Sequence, residues 1–348
     1  MVAAIKRLPI PEKYLAGLDP EFVKLWEEHG AYTVRADERP VEDYRADPGS
    51  LSFTYATWTG PGVHKVQDHK VTVTDPDGEI TVRVYTPEGT GPFPVHINTH
   101  GGGWVVGGLA SEQAWCKEIC NRVSCVVVDV DYRLSPEVRF PTAIYDSWTA
   151  VKWTIAKAQQ LNINPKSVSI GGLSAGGHMS AVMAHFAREE GIELKLQLLV
   201  VGAFDLRHCP PTGRDVYENT RYPSFVKYKD VPWGPYQRLQ WFMDYWCGTD
   251  EKVRQEIFND WRCSPVLAPS FENLAPAFIV TAEFDPGRDE EEYYGELLRR
   301  GGNRVEVKQY KGMPHAFGHY NHPERGLTKS REYIKDTAAV IAKAHGLV

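Results

Sequence analysis

Two glycine-rich segments, each following an apolar run, constrain the fold of this chain more than any other feature. In the second segment, Gly172, Ser174 and Gly176 form a G-x-S-x-G pattern directly after the β-like residues 168–170. A helix-compatible stretch follows at once, which is typical of a nucleophile elbow, a sharp strand-to-helix turn that carries a reactive serine. Small neighbours let the backbone fold tightly under that serine, so we expect bulky residues at Gly172 or Gly176 to be poorly tolerated.

The first segment, residues 100–104, reads His-Gly-Gly-Gly-Trp and follows the apolar residues 94–99. A loop of this kind at a separate strand end supplies backbone N–H groups to an oxyanion hole. The serine segment taken alone is also compatible with an ordinary glycine-rich turn. The presence of both segments favours a reactive serine with an oxyanion loop.

The length and composition predict one catalytic domain with an inserted or appended subdomain. The chain has 348 residues, of which 42% are hydrophobic, so it can bury a large core. The net charge of -6 comes without a basic run, which argues against nucleic acid or an anionic membrane as the main partner. We therefore expect neutral or weakly charged small molecules as substrates.

Six cysteines lack the spacing of a metal site, and we interpret them as mostly buried thiols outside disulfides. We predict no metal and no organic cofactor. The first residues contain no apolar core of signal-peptide length, and no later run is long enough to span a bilayer, so the expected location is cytoplasmic. The sequence leaves the oligomeric state open and allows a homodimer.

Strand and helix patterns alternate along most of the chain, which predicts an α/β fold with a mostly parallel sheet covered on both faces. A helical stretch at 20–29 comes first, and runs 70–74 and 80–85 are expected to form a hairpin. The remaining predicted strands are residues 95–99, 126–130, 168–170, 194–201, 277–281 and 305–309. The remaining predicted helices are residues 111–123, 143–160, the stretch after Ser174, 288–300 and 330–344.

The alternation is interrupted between residues 206 and 263, and this insertion is rich in aromatic residues. We assign residues 51–205 and 264–348 to the catalytic domain, and residues 1–50 and 206–263 to a cap. The aromatic side chains suit a lid over an apolar pocket, and they are equally compatible with a small subdomain that fills its own core. The residues predicted to contact substrate are Trp104, Trp241 and Phe242.

A serine hydroxyl needs a base, and the base needs a group that orients it and stabilises its charged form. The triad residues are expected in the chain order serine, acid, histidine, so the acid and the base must lie downstream of Ser174. The candidate acid is Asp285, after the β-like residues 278–282, and the candidate base is His315, in the loop 312–317. Asp285 could instead cap a turn or helix, with Glu283 or Asp289 as substitutes, and His315 could be a surface histidine like the nearby His319. We interpret His178, the competing base, as a buried packing residue.

These motifs together resemble the hormone-sensitive lipase family of α/β-hydrolases. The resemblance extends over about residues 95–317 and rests on five groups of residues: 100–103; 131–134 with Pro136 and Glu137; the Ser174 turn; Asp285 with Pro286, Arg288, Asp289 and Glu290; and His315. It implies an α/β-hydrolase fold with a triad of Ser174, Asp285 and His315. It also implies an oxyanion hole built from the amides of Gly102, Gly103 and Ala175.

Two residues depart from the family pattern. The family usually has aspartate where this chain has Leu173, which removes a polar partner beside the nucleophile and raises the question of what supports the loops there. The family commonly has leucine where this chain has Gly287, which is expected to loosen the acid loop. Neither change touches the triad.

The sequence therefore predicts a serine hydrolase that cleaves carboxylic esters through an acyl-enzyme. The same triad and hole serve several acyl substrates, so an amidase such as kynurenine formamidase, a lactonase, a thioesterase or a family dehydratase are alternatives. A non-catalytic receptor is a further alternative, since the plant gibberellin receptor resembles this family but has lost its catalytic histidine. The presence of His315 argues against a receptor.

Overall fold

The computed structural model describes residues 7–46, 54–209, 213–215 and 220–347. Within these ranges an eight-stranded sheet has the order β1-β2-β4-β3-β5-β6-β7-β8. Strand β2 runs antiparallel to β1 and β4, and the other neighbours are parallel. The strands are β1 (Lys65–Val73), β2 (Gly78–Thr86), β3 (Phe93–Thr99), β4 (Val126–Asp131), β5 (Ile163–Leu173), β6 (Leu194–Val200), β7 (Ala277–Phe284) and β8 (Val305–Pro314).

Helices cover both faces of the sheet, as the alternating pattern predicts. The predicted helix over residues 143–160 is divided in two at Lys157. The helices are α1 (Glu12–Leu15), α2 (Pro20–Glu28), α3 (Val41–Ala46), α4 (Gln113–Val123), α5 (Thr142–Ala156), α6 (Ala158–Leu161), α7 (Ala175–Glu189), α8 (Pro223–Lys227), α9 (Tyr236–Trp246), α10 (Glu251–Phe258), α11 (Arg288–Arg300) and α12 (Thr328–Ala344). One apolar layer packs α5 and α7 against the strands, and a second layer packs α4 and α12.

This topology gathers the predicted functional segments at one edge of the sheet. Strands β3, β5, β7 and β8 are parallel, so their carboxyl ends lie on the same side, where ligands of open α/β sheets bind. The oxyanion segment follows β3, Ser174 follows β5, Asp285 follows β7 and His315 follows β8. The α/β-hydrolase architecture and the hairpin of β1 and β2 agree with the sequence prediction.

The insertion after β6 contains α8, α9 and α10, and it contacts the N-terminal helices. The Phe22 ring of α2 lies 5.0 Å from the Trp233 ring in an edge-on arrangement, and Lys13 forms an ion pair with Asp230. These contacts bring together the two segments that the sequence assigns to a cap. The predicted boundary at residue 50 and the aromatic residue Tyr217 lie outside the described residues.

Most of the described aromatic residues of the insertion are packing residues. Trp241 and Tyr245 of α9 are partly exposed. The aromatic side chains buried in the described part of the insertion are those of Tyr222, Phe225, Tyr228, Trp233, Tyr236, Phe242, Trp246 and Phe258. No described helix is long and apolar enough to cross a membrane.

Candidate active site

Ser174 occupies the sharp turn between β5 and α7. Its φ of 57° and ψ of -115° are rare for a residue with a side chain, and its amide donates to the Val200 carbonyl at 2.7 Å. The backbone passes very close to Thr99 of β3 here: a Cβ on Gly172 would lie 2.3 Å from the Thr99 carbonyl oxygen, and one on Gly176 would lie 1.9 Å from it. The two glycines therefore have the steric role that the sequence predicts for them.

Asp285 and His315 complete a continuous chain of polar contacts to Ser174. His315 Nε2 lies 2.9 Å from Ser174 Oγ, and His315 Nδ1 lies 2.5 Å from Asp285 Oδ2. The second carboxylate oxygen of Asp285 accepts a hydrogen bond from the Gly287 amide at 2.9 Å, and Asp285 is only 2% exposed. With Nδ1–H donating to Asp285, Nε2 is left as the acceptor that faces the serine hydroxyl.

The segment after β3 forms a tight loop beside Ser174. Gly102 has φ of 118° and Gly103 has φ of 59°, and the Val105 and Val106 amides both donate to the Gly102 carbonyl. A Cβ on Gly102 would lie 2.0 Å from the Val106 carbonyl oxygen. Among the described residues, the amides of Gly102 and Gly103 donate to no carbonyl or side chain, which leaves both N–H groups available to a ligand.

Trp104 does not line an open site. Its side chain is 1% exposed and stacks on Trp246 with ring centroids 3.8 Å apart, while the His178 ring packs edge-on at 5.0 Å. The prediction that Trp104 contacts substrate is therefore replaced by a packing role, because the left-handed backbone at this residue turns the indole into the core. His178 is also fully buried, and burial lowers its pKa to about 3, which agrees with its interpretation as a packing histidine.

Phe242 and Trp241 of α9 occupy different environments. The Phe242 ring lies directly against Gly103, since a Cβ on that glycine would be 2.3 Å from the ring, and Phe242 is 9% exposed. Trp241 packs edge-on against Phe242 at 5.1 Å and is partly exposed. The structure therefore brings Phe242 to the loop that carries Gly102 and Gly103, and it places Trp241 one layer further out.

Two buried glutamates lie beside Asp285: the sequence analysis names Glu290 only as part of the family resemblance, and it does not name Glu291. Glu290 accepts hydrogen bonds from the amides of Phe204 and Asp205, and Glu291 interacts with Asp285 itself. Burial raises the pKa of both carboxyl groups well above the ordinary glutamate value. The signal for them is a run of three acidic residues, Asp289, Glu290 and Glu291, in the first turn of α11, a helix that must bury one face.

Gly287 lies where these carboxyl groups meet. A Cβ on Gly287 would be 3.5 Å from Asp285 Oδ1 and 3.6 Å from one oxygen of each glutamate. A leucine there would place an apolar side chain among three carboxyl groups. The Gly287 amide donates a hydrogen bond to Asp285, and the expected loosening of the loop that carries Asp285 stays a prediction.

We expect Glu291→Gln to raise the free energy of unfolding by an amount that grows with pH. Glu291 keeps its proton when folded and loses it when unfolded, so at pH values between its ordinary pKa and its raised folded pKa the native state loses stability as pH rises. Glutamine carries no such proton, so the difference should grow by about 1.4 kcal/mol per pH unit in that window. Urea unfolding at about pH 5 and about pH 8 measures it.

Glu296→Gln is the matched control, because Glu296 forms an exposed ion pair with Arg300 on the same helix. Its effect on unfolding should be small and the same at both pH values. An effect of Glu291→Gln that does not change with pH would contradict a protonated Glu291.

Among the described residues, no three His, Cys, Asp or Glu side chains are arranged to hold a metal ion. All six cysteines are buried and none is in a disulfide.

Comparisons with known proteins agree with this geometry. A family model described as alpha/beta hydrolase fold matches residues 96–319. The carboxylesterase NlhH of Mycobacterium tuberculosis is 35% identical to this chain, over 69% of this chain and 71% of NlhH. The carboxylic ester hydrolase LipN of the same organism is 34% identical, over 74% of this chain and 66% of LipN. The hyperthermophilic esterase of the archaeon Pyrobaculum calidifontis superposes with a TM-score of 0.81 at 29% identity, covering 94% of this chain and 98% of that one.

The matching family model, the similar sequences and the similar structures confirm the resemblance to the hormone-sensitive lipase family that the motifs indicate. The chain belongs to the α/β-hydrolase family, among its carboxylic ester hydrolases.

Proposed function

We propose that the chain hydrolyses small carboxylic esters through an acyl-enzyme on Ser174. One observation carries the proposal: Ser174 Oγ, His315 and Asp285 form an unbroken hydrogen-bonded chain, with distances of 2.9 and 2.5 Å, at the edge of the sheet. The names of the relatives support esters as the substrate class.

In the first half of the reaction, His315 Nε2 takes the Ser174 proton as Oγ attacks the ester carbonyl carbon. The carbonyl oxygen becomes an oxyanion, and we assign the amides of Gly102, Gly103 and Ala175 as its hydrogen-bond donors. Each donor is expected to lower the barrier by about 3 kcal/mol. The bond to the alcohol then breaks, and His315 gives the proton to the leaving oxygen.

In the second half, water replaces the alcohol. His315 takes a proton from the water, the resulting oxygen attacks the acyl carbon, and the bond to Ser174 Oγ breaks as the serine regains its proton. The carboxylate of Asp285 stabilises the imidazolium that forms twice. The N-terminus of α7 begins at Ala175, so its dipole also favours the developing negative charge.

A substrate panel tests the assignment to esters. p-Nitrophenyl esters with short and long acyl chains are compared with an anilide, a lactone and a thioester. We expect the esters to give the highest kcat/KM. A higher kcat/KM for the anilide, lactone or thioester would replace the ester assignment, and tight binding of a small ligand without turnover would favour a receptor.

The pH dependence of kcat/KM tests the role of His315. We expect a single ionisation on the acid side, because a protonated imidazole cannot accept the Ser174 proton. Burial lowers the pKa of His96, His178 and His185 to about 3, so these three rings stay neutral over the relevant range and cannot produce the same loss. A rate that stays flat down to strongly acidic pH would remove histidine from the mechanism.

Alanine substitutions of two aromatic side chains on α9 test the predicted substrate contacts. We expect Trp241→Ala to change discrimination between short and long acyl chains by up to roughly 1 to 3 kcal/mol, because it removes apolar surface without touching the triad. Phe242→Ala should do the same and also lower kcat for every ester, because its ring supports Gly103. Measurements of kcat/KM across an ester series, beside the melting temperature, separate these effects.

Trp246→Ala is the control, since Trp246 is fully buried against Trp104. It should lower the melting temperature and affect all esters alike. If Trp241→Ala behaves in the same way, Trp241 is a packing residue.

A further inference from the structure

Leu173 lies between the loop that carries Gly102 and the loop that carries His315. A Cβ on Gly101 would be 3.1 Å from one Leu173 methyl carbon, and a Cβ on Gly318 would be 3.6 Å from the other. A leucine side chain can neither donate nor accept a hydrogen bond. The question raised by the sequence is therefore which polar group holds the two loops together.

Glu112 makes that connection. Its Oε1 accepts a hydrogen bond from the Gly101 amide at 3.2 Å and lies 2.8 Å from Nε2 of His319. Gly101 directly precedes the candidate oxyanion glycines, and His319 lies four residues beyond His315. One carboxylate oxygen thus contacts both loops.

The environment of Glu112 makes this contact hard to replace. The side chain is 5% exposed, and its Oε2 has no hydrogen-bond partner among the described residues, so its hydrogen bonding to the protein depends on Oε1. Glu112 also stands directly before α4, where the helix dipole favours a carboxylate. If the side chain were removed, the buried Gly101 amide would lose its acceptor, and an unpaired buried N–H group is unfavourable.

We propose that Glu112 and His319 are positioning residues that hold the oxyanion loop against the histidine loop across Leu173. They set the distance between the Gly102 and Gly103 amides and the Ser174–His315 pair, and they touch no reacting atom. This inference rests on the proposed function. It matters for rate because a displacement of about 1 Å between catalytic groups can lower a rate about 100-fold.

Three variants on or before α4 test the proposal. Glu112→Ala should lower kcat for a short ester by roughly 10- to 100-fold with little change in KM. Its affinity for an alkylboronic acid, which forms a tetrahedral adduct on Ser174, should fall by a similar factor. Glu112→Gln keeps an acceptor oxygen at the same reach and should restore most of both losses. Glu118→Ala is the matched control, because Glu118 pairs with Arg122 on the same helix, and it should change neither quantity.

His319→Ala and the double variant with Glu112→Ala complete the test. Because both residues act through one contact, the double variant should lose no more kcat than Glu112→Ala alone. The proposal would be overturned if the losses of kcat in the two single variants added up in the double variant. It would also be overturned if Glu112→Ala had the same kcat and the same boronic acid affinity as Glu118→Ala. If Glu112→Ala does not fold, His319→Ala and His319→Gln carry the same comparison. Failure of the proposed function gives a different result, because the unmodified chain would then hydrolyse none of the esters.

Discussion

Ser174→Ala is expected to lower kcat for p-nitrophenyl esters by about 10⁴- to 10⁶-fold while the protein stays folded. Alanine removes Oγ, the atom that lies 2.9 Å from His315 Nε2, and leaves the rest of the site in place. The small remaining rate would come from the oxyanion hole and from substrate binding. A fluorophosphonate should label the unmodified chain once, at Ser174, with loss of fluoride, and should not label the variant.

Ser180→Ala is the matched control, because Ser180 lies on the same helix and its hydroxyl is buried beside that of Thr99. It should keep its labelling and most of its kcat. Labelling that persists in Ser174→Ala, or an equal loss of kcat in both variants, would contradict the assignment of Ser174 as the nucleophile.

The parts of this molecule that follow from the sequence are those encoded in short stretches. The G-x-S-x-G pattern specifies the turn at Ser174 because glycine is needed wherever the backbone meets Thr99. The alternation of strands and helices predicts a mostly parallel sheet, and a parallel sheet places the ends of β5, β7 and β8 on one side. Asp285 and His315 could be selected for that reason, and the geometry brings both to Ser174.

The parts that escape prediction depend on contacts between distant residues. Glu112 and His319 are 207 positions apart, and neither lies in a motif that would pair them. The sequence analysis predicts that Trp104 contacts substrate, yet stacking on Trp246 of the insertion buries its side chain. The burial of the Glu291 carboxyl group likewise depends on tertiary packing, since acidic residues in the first turn of a helix usually point to solvent.

Gly176→Ala is expected to destabilise the fold by about 3 kcal/mol or more, although it adds a single methyl group. The new Cβ would lie 1.9 Å from the Thr99 carbonyl oxygen, 2.7 Å from the Thr99 carbonyl carbon and 3.1 Å from the His100 carbonyl oxygen. All three atoms belong to the backbone of β3 and its loop, so no side chain can rotate away. Helix α7 would have to move off the sheet, which would also pull Ser174 and Ala175 away from the loop that carries Gly102 and Gly103. Urea unfolding measures the loss of stability.

Gly62→Ala separates this steric effect from the general consequence of replacing a glycine. A Cβ on Gly62 would have no atom within 4 Å, so this variant should unfold at nearly the same urea concentration as the unmodified chain. Gly176→Ala should also lower kcat for every ester by a similar factor, because the proposal assigns chain-length discrimination to α9 and not to the turn at Ser174. If Gly176→Ala keeps both its stability and its kcat, the close approach of α7 to Thr99 is not what requires glycine there.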